Sequence, residues 1–514
     1  MNIQNALEVL KKSTFGHRTA EEEKDNIKQY FVETEDWNSV FSGKADIIYG
    51  AKGSGKSAIY SLIIENQSEL FDRNILVIPG ENPQGTPAFQ SLSQNPPESE
   101  FAFVSLWKLY FLTLCGKAFR DYEISNPLAV EIIGALEEAN LLPRSFTLSR
   151  ALTYALHYVR DWTARIEAVE GTVTIDPTTS IPMGAGKISL REPSSARAKL
   201  GHISVDELLS KANAAFAKEE LTVWVVLDRL DVAFSDNSAL EALALRALFK
   251  AYLDIKNLNS IRTKIFLRTD IWKSIVKDGF REASHLERTL TIRWREDDIL
   301  NVLVRRMLSN DSIAKYYGVD RIEILGDATK QRDIFFRMMP AQVESGPNKS
   351  NTLKWMITRT SDASKEPAPR ELIHMMNELR TEQIKRLERG QKGLVPEKAL
   401  FEQVSFKDAL PAVSRARLEQ TLYAEYARLK PYVEKMRQQR ASQTVESLAT
   451  LWGIPQSETQ LVVNELEDAG FFEKFAGTKA PTVRVPFLYR PALELVQGTV
   501  ELDQGTTERA FEAE

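Results

Sequence analysis

The sequence has few of the residues that form disulfides or bind zinc. It contains one cysteine, Cys115, among 514 residues, which excludes an intramolecular disulfide and fits a reducing, cytoplasmic location. Its five histidines are scattered along the chain, and no two of them have the close spacing of metal ligands. We therefore expect neither a disulfide scaffold nor a zinc site.

Export and membrane signals are also weak. Residues 1–12 lack the basic segment followed by an apolar run that marks a signal peptide. The most apolar stretch, 101–119, is interrupted by Lys108 and is marginal in length for a bilayer span, so we predict a buried helix and no membrane contact. The formal net charge of −5 argues against polyanion binding by the whole chain, although a local basic face stays compatible with it.

The sequence has the composition and length of a multidomain globular protein, with 43% hydrophobic and 27% charged residues. Short apolar runs predict strands at 45–49, 74–78, 222–227 and 263–267, and a fifth strand is predicted at 288–294. Helical periodicity fills most of the sequence between these strands. That alternation predicts an α/β fold in which a parallel sheet carries helices on both faces.

The most specific motif lies between the first predicted strand and the helix after it. Residues 50–57 fit the phosphate-loop pattern G-x-x-x-x-G-K-[ST] at every fixed position. Glycines let successive backbone N–H groups point at a phosphate chain, and the helix N-terminus adds partial positive charge. We predict a nucleotide site that comprises Gly50, Ala51, Lys52, Gly53, Ser54, Gly55, Lys56, Ser57 and Ala58. Lys56 is expected to reach the β- and γ-phosphates, and Ser57 to ligate Mg²⁺.

A carboxylate follows the apolar strand at 222–227. Asp228 would face the same crevice as the phosphate loop and hold Mg²⁺ beside Ser57, in the manner of a Walker B aspartate. Many ATPases have glutamate at the next position, where this chain has Arg229. We therefore predict that Asp231 positions the attacking water; the alternative is that Asp231 caps the following helix and hydrolysis is slow or absent.

Polar residues after the next strand are candidate sensors of the γ-phosphate. Arg268 and Thr269 follow the strand predicted at 263–267, so they would lie at the edge of the sheet where ligands bind. Arg281 or Arg288 is a candidate arginine finger for a neighbouring subunit, and for each the alternative is an ordinary surface arginine. Arg370 begins a later helix and either contacts the phosphates as a lid moves or is an exposed residue of the first turn.

The C-terminal region predicts a helix-turn-helix followed by a hairpin, which is a winged helix. Its second helix, 457–469, is acidic and unsuited to phosphate contact, although basic residues flank it. Nucleic-acid binding and protein docking both stay open for it. The predicted domains are an ATPase core at 1–295 with an insertion at about 170–203, a helical lid at 296–390, a linker at 391–412, a winged helix at 413–498 and a disordered acidic tail at 499–514.

Together these motifs resemble the STAND and KAP branch of AAA+-type P-loop ATPases, in particular bacterial proteins with a C-terminal winged helix. The Asp-x-x-Asp form at 228–231 is similar to that branch and departs from the Asp-Glu form of AAA+ motors. The matching segments are Phe15-Gly16, Ala20-Glu21-Glu22, Tyr30-Phe31, 50–57, 225–231, 266–270, 369–373 and 487–490.

The resemblance implies an ATP- and Mg²⁺-dependent switch that assembles into homo-oligomers. Similar ATPases act as sensors or scaffolds in bacterial antiphage defence, beside a separate effector protein, and the absence of a guanine-reading motif favours adenine. Two other functions stay open: a DNA-binding ATPase of replication or repair, and a nucleotide-regulated scaffold with little turnover. The missing glutamate after Asp228 implies slow rather than processive hydrolysis.

Overall fold

The computed structural model of the chain forms two compact units. It describes residues 3–19, 22–23, 27–81, 89, 92, 96–170, 188–199, 201–230, 237–277, 279–391, 399–475 and 482–499. We call the unit made of Glu35–Gly50 and Lys56–Ile292 the sheet unit. The helical unit comprises Met1–Thr34, Ala51–Gly55 and Arg293–Glu514.

A parallel five-stranded sheet forms the centre of the sheet unit. Its strands are β1 (Ile47–Gly50), β2 (Ile75–Pro79), β3 (Thr222–Leu227), β4 (Ile261–Arg268) and β5 (Thr289–Thr291). They lie in the order β2-β3-β4-β1-β5, and every neighbouring pair is parallel. Strands β1 to β4 are largely buried, as parallel strands covered by helices must be, whereas the short edge strand β5 is exposed or half-buried. The strand–loop–helix at β1 and the parallel sheet confirm the predicted α/β fold of a P-loop NTPase.

Helices connect these strands, and side-chain caps begin several of them. Ser204 is the N-cap of helix Val205–Lys218 and accepts a hydrogen bond from the Glu207 backbone N–H. Residues 188–189 and 203–204 form a short parallel strand pair inside the predicted insertion, of which residues 171–187 and 200 lie outside the described part. The helices of this unit are Glu35–Phe41, Lys56–Glu65, Gln67–Asp72, Glu100–Asp121, Pro127–Glu138, Leu148–Glu170, Ser195–Lys199, Val205–Lys218, Ser238–Ile255 and Thr269–Lys277, with a 3-10 turn at Arg281–His285.

The apolar stretch of the sequence forms the helix Glu100–Asp121. Within the described chain it is the one helix long and apolar enough to cross a membrane, and 83% of its most apolar window is buried inside the protein. The Trp107 indole donates to the Ala244 carbonyl at 2.9 Å, and the Tyr110 hydroxyl donates to the Gly80 carbonyl at 2.8 Å. A helix that is covered by protein on nearly all sides needs no polar face, which explains its composition.

The helical unit contains the predicted lid and the N-terminal segment of the chain. Residues 1–34 were expected in the ATPase core, but they belong to this unit, where Arg306 donates to both Glu23 carboxylate oxygens and to the Phe15 carbonyl. The helices are Ile3–Lys11, Ile27–Tyr30, Glu296–Leu308, Asp311–Tyr317, Arg321–Leu325, Ala328–Met338, Thr352–Thr360, Pro369–Glu388, Gln403–Arg417, Lys430–Lys435, Val445–Trp452 and Gln456–Asp468, with a π-helical turn at Leu418–Tyr423 and a 3-10 turn at Ala427–Leu429.

The predicted linker at 391–412 is largely helical where it is described. Helix Gln403–Arg417 begins inside it and buries Phe406, Ala409 and Val413 completely. The glycine and proline residues that suggested a linker end before this amphipathic segment starts, and residues 392–398 lie outside the described part. The domain division as a whole stays a prediction.

The C-terminal elements follow the order expected from the sequence. Helix Val445–Trp452 ends at Gly453, whose φ of +72° closes the turn before helix Gln456–Asp468. Strands β7 (Glu473–Phe475) and β8 (Thr482–Arg484) form an antiparallel pair, and β6 (Arg440–Thr444) and β9 (Val496–Thr499) extend it to a sheet ordered β9-β6-β8-β7. The winged-helix assignment stays a prediction, and residues 500–514 of the predicted tail lie outside the described part.

Candidate functional site

The phosphate-loop motif lies between β1, which ends at Gly50, and the helix that begins at Lys56. Gly53 has φ +81° and Gly55 has φ +95°, the left-handed region in which a side chain is strained. The Ser54 backbone N–H donates to the Ala51 carbonyl at 3.1 Å, so the loop is a tight turn. Glycine is therefore needed at both positions by the conformation of the loop itself.

Lys56 and Ser57 occupy the first turn of the helix, where Ala58 follows them. All three residues are half-buried. The Lys56 ammonium donates to the Gly50 carbonyl at 2.9 Å. The Lys56 side chain thus folds back toward the start of the loop. Ammonium, hydroxyl and backbone N–H groups at one helix N-terminus form an environment suited to a polyanion.

Asp228 follows β3 directly and is 4% exposed. Burial raises the pKa of Tyr60, and the Asp228 and Glu81 carboxylates raise it further because their charge opposes ionisation of the phenol. Tyr60 belongs to the helix that begins at Lys56, so the Asp228 carboxylate lies near the first turns of that helix. The structure thus brings Asp228 close to the element that carries Ser57.

The residue after Asp228 adopts an uncommon backbone conformation. Arg229 has φ +57°, in the left-handed region that costs energy for a residue with a long side chain. The chain therefore turns sharply as soon as β3 ends. Asp231, the predicted water-positioning residue, lies outside the described residues.

The end of β4 lies beside the phosphate loop, because Arg268 is the register partner of Gly50. Arg268 donates to Asp270 through Nε at 3.1 Å and through Nη2 at 2.6 Å. Burial opposes ionisation of Asp270, but Arg268, with a smaller contribution from Lys56, outweighs it and lowers the pKa of this carboxyl. Arg268 is thus held by a carboxylate two residues away.

Ser54 Oγ in the loop and Thr269 Oγ1 directly after β4 are each buried and have no hydrogen-bond partner among the described residues. Buried hydroxyls are normally satisfied, so each of these two fits a place where a polar ligand would bind. The described residues contain no cluster of three histidine, cysteine or acidic side chains that could bind a metal by itself. A metal here would instead take Ser57 and Asp228 as ligands together with oxygens of a nucleotide, which suits Mg²⁺.

Residues of the helical unit surround the middle of the loop. A Cβ atom added to Gly53 would lie 3.0 Å from Arg370 Cβ and 3.6 Å from Ala368 Cβ, so Arg370 packs directly against this glycine. The Trp294 indole donates to the Ser54 carbonyl at 2.8 Å. Lys52 forms an ion pair with Glu425. The sequence had indicated Arg370 but gave no signal for Trp294 or Glu425.

A buried arginine orients the helix that carries Arg370. Arg417 contacts Asp362 at 2.7 Å and Glu371, the residue after Arg370, at 3.1 Å. Burial opposes the charge of Arg417, but Tyr489 and the two carboxylates outweigh it and raise the pKa of the guanidinium. Tyr489 lies beyond β8, so the C-terminal elements are linked to the start of helix Pro369–Glu388.

The two candidate finger arginines differ in their surroundings. Arg288 pairs with Asp46 at 3.0 Å and also donates to backbone carbonyls of the segment before β1. Asp46 precedes β1, at the end of the sheet opposite the phosphate loop. Arg281 is exposed at the start of the 3-10 turn. Of the two, Arg281 is the one whose exposure suits contact with another subunit.

No protein-family model matches the chain. It is 22% identical over 313 residues to the "Putative transposon gamma-delta 80.3 kDa protein" of Escherichia coli (strain K12), and the match covers 58% of this chain but only 40% of that protein. The chain thus spans less than half the length of this relative.

Two solved structures are similar over most of their length. Cdc6p from Pyrobaculum aerophilum has a TM-score of 0.28 and 11% identity, with 92% of this chain and 93% of that chain covered. The Aeropyrum pernix ORC2 protein, solved as ADPNP–ADP complexes, has a TM-score of 0.31 and 10% identity, with coverage of 89% and 91%. TM-scores this low carry no argument about the activity of this chain.

Proposed function

We propose that this protein is an ATP-binding switch that hydrolyses ATP slowly. The observation that carries the proposal is a phosphate loop with two left-handed glycines, set between a buried parallel strand and a helix whose neighbourhood includes Asp228. The strand of the loop and the strand that ends at Asp228 are parallel members of one sheet, separated by β4, so their carboxyl ends lie at the same edge. The assignment to AAA+-type ATPases rests on the resemblance of the sequence motifs. Adenine specificity rests on the resemblance of the sequence motifs.

In this function the loop N–H groups and Lys56 bind the β- and γ-phosphates. Ser57 and Asp228 would hold Mg²⁺, which neutralises charge on the phosphates when it is bound. Arg370 contacts the loop at Gly53, so a change in the phosphates would be felt by helix Pro369–Glu388. Assembly into homo-oligomers, with Arg281 reaching a neighbour, and action on a separate effector extend the proposal by analogy.

The direct test measures nucleotide binding and turnover in the purified chain. Lys56→Ala should weaken ATP binding at least about tenfold, because a charge-assisted hydrogen bond to phosphate is lost. Lys44→Ala, at an exposed lysine before β1, is the matched control and should bind ATP as the wild type does. Equal affinity in both variants would contradict the assignment of the loop.

Arginines near the C-terminal hairpin favour a second candidate function, nucleic-acid binding. The guanidinium carbons of Arg359 and Arg490 lie 3.5 Å and 3.9 Å from the centre of the Phe487 ring, and that of Arg484 lies at 5.6 Å. Burial and the charges of Arg484 and Arg359 lower the pKa of Arg490 to about 10. Such mutual repulsion would be relieved by a bound anion such as a backbone phosphate.

The acidic helix Gln456–Asp468 argues against nucleic-acid binding. A salt titration of DNA binding decides whether the hairpin binds nucleic acid. If the hairpin binds DNA, Arg484→Ala should weaken binding of a labelled duplex at low salt and reduce the slope of log affinity against log salt by about 1. Arg428→Ala, at an exposed arginine paired with Glu465, is the control. Absence of duplex binding by the wild type at low salt would leave the switch without a nucleic-acid function.

A further inference from the structure

A second buried carboxylate lies at the same edge of the sheet as Asp228. Glu81 follows β2 by two residues and is completely buried. Strand β2 pairs with β3 so that Pro79 lies opposite Val226, and the Gly80 N–H continues the ladder by donating to the Val226 carbonyl at 2.8 Å. Counting on from that pair, Glu81 lies opposite Asp228, at the carboxyl ends of neighbouring strands.

Two tyrosines fix the backbone at Glu81. The Tyr60 hydroxyl donates to the Glu81 carbonyl at 2.7 Å, and the Tyr110 hydroxyl donates to the Gly80 carbonyl at 2.8 Å. A Cβ atom at Gly80 would lie 2.5 Å from Leu227 Cδ2, so the chain passes close to the side chain that ends β3. Tyr60 stands on the helix that begins at Lys56, and Glu81 is therefore tied to the phosphate-loop helix.

Hydrolysis by a phosphate-loop enzyme is faster when a side chain orients the attacking water, and a carboxylate in that place can also accept the water proton. The position after Asp228, which would supply it in many ATPases, is Arg229 in a left-handed turn. On the premise that the proposed ATPase function is correct, we propose that Glu81 is this carboxylate. The water oxygen forms a bond to the γ-phosphorus while the bond from that phosphorus to the β–γ bridging oxygen breaks, its electron pair stays on ADP, and the water proton passes to Glu81.

Other acidic side chains of the described sheet unit are less suited to the role. Asp270 is held by two hydrogen bonds from Arg268, and Asp228 is the expected ligand of Mg²⁺. Asp46 lies before β1, at the opposite end of the sheet, in contact with Lys264 and Arg288. Asp231 lies outside the described residues and is the direct competitor of Glu81.

The test compares Glu81→Gln with Asp231→Asn and the wild type. Affinity is measured with a fluorescent ATP analogue and turnover as phosphate released over a range of pH. We expect Glu81→Gln to bind ATP as the wild type does and to lose hydrolysis by about 100-fold or more, with the acidic limb of its pH profile removed. Glu69→Gln, at an exposed glutamate of helix Gln67–Asp72, should match the wild type in both assays.

Each outcome decides between the two proposals. If the wild type and Glu81→Gln hydrolyse ATP equally while Asp231→Asn does not, the role belongs to Asp231 and only the inference is overturned. If the wild type neither binds nor hydrolyses ATP, the proposed function fails and the inference fails with it. If Glu81→Gln melts at a much lower temperature than the wild type, Glu81→Asp replaces it: a turnover well below that of the wild type with unchanged ATP affinity supports Glu81, and unchanged turnover overturns it.

Discussion

Lys52, inside the phosphate-loop motif, forms an ion pair with Glu425, which lies 373 positions later in the chain. The side chains of both residues are about three-quarters buried, with 24% and 21% exposed. Glu425 follows the π-helical turn Leu418–Tyr423, within the helical unit. Glu425 therefore competes with a bound phosphate for the positive charge of Lys52.

Neutralising Glu425 should therefore strengthen nucleotide binding. Glu425→Gln removes the competing charge from Lys52, and we expect ATP affinity to rise about threefold to tenfold, which corresponds to about 1 kcal/mol for a partly exposed pair. Titration with a fluorescent ATP analogue measures the change. Glu419→Gln, at an exposed glutamate of the preceding turn, is the control. An affinity unchanged by Glu425→Gln would mean that the ion pair has no influence on the loop.

Replacement by alanine should be more harmful at Gly53 than at Gly279, a glycine with a similar φ. Gly53 has φ +81° and would place a Cβ atom 3.0 Å from Arg370 Cβ, whereas Gly279 has φ +85° and open space around it. Both Gly→Ala variants carry backbone strain of about 1 kcal/mol, but only Gly53→Ala adds a steric conflict with the start of helix Pro369–Glu388.

We therefore expect Gly53→Ala to lower both the unfolding free energy and ATP affinity, and Gly279→Ala to lower the unfolding free energy alone. Urea denaturation and nucleotide titration separate the two effects. If Gly53→Ala bound ATP like the wild type, the close packing between Arg370 and the loop would be irrelevant to binding.

The sheet could be predicted from the sequence because each strand is encoded locally. The run 222–227 forms β3 with the predicted bounds, and the run predicted at 263–267 lies within β4. The phosphate loop at 50–57 could likewise be predicted from its sequence motif alone. In these segments burial on both faces of a parallel sheet leaves a continuous apolar signal.

Contacts between distant residues could not be predicted in this way. Trp294 reaches Ser54 over 240 positions, and Glu81 comes beside Asp228 only through the pairing of β2 with β3. The sequence around Glu81 is rich in glycine, proline and asparagine and predicts only a loop. Its place at the sheet edge depends on strand order, which no local pattern specifies.

Arg417 should be a determinant of the stability of the helical unit. It is 5% exposed and contacts Asp362 and Glu371, so Arg417→Met would leave two carboxylates without this partner. We expect the unfolding free energy to fall by about 3–5 kcal/mol, the usual cost of removing one member of a buried ion pair. Arg415→Met, at an exposed arginine of the same helix, should change it little. Equal denaturation midpoints in the two variants would contradict the structural role of Arg417.

Lys264 should make the protein more stable as the pH rises above 8. The side chain is fully buried beside Asp46 at 2.8 Å, and burial lowers its pKa from 10.5 to about 8. Between these values the unfolded chain binds a proton that the folded chain does not, so the unfolding free energy increases with pH. From pH 8 to 9.5 we expect a gain of about 1–2 kcal/mol from this residue.

Urea denaturation at several pH values tests the sign of this effect. Lys264→Met has no titrating group at this position, and Asp46 keeps its contact with Arg288 at 3.0 Å, so the fold should persist without the gain. Lys218→Met, at an exposed lysine, should keep the pH dependence of the wild type. If the wild type and Lys264→Met gained stability equally between pH 8 and 9.5, Lys264 would have to remain protonated in the folded state, held by Asp46 against the cost of burial.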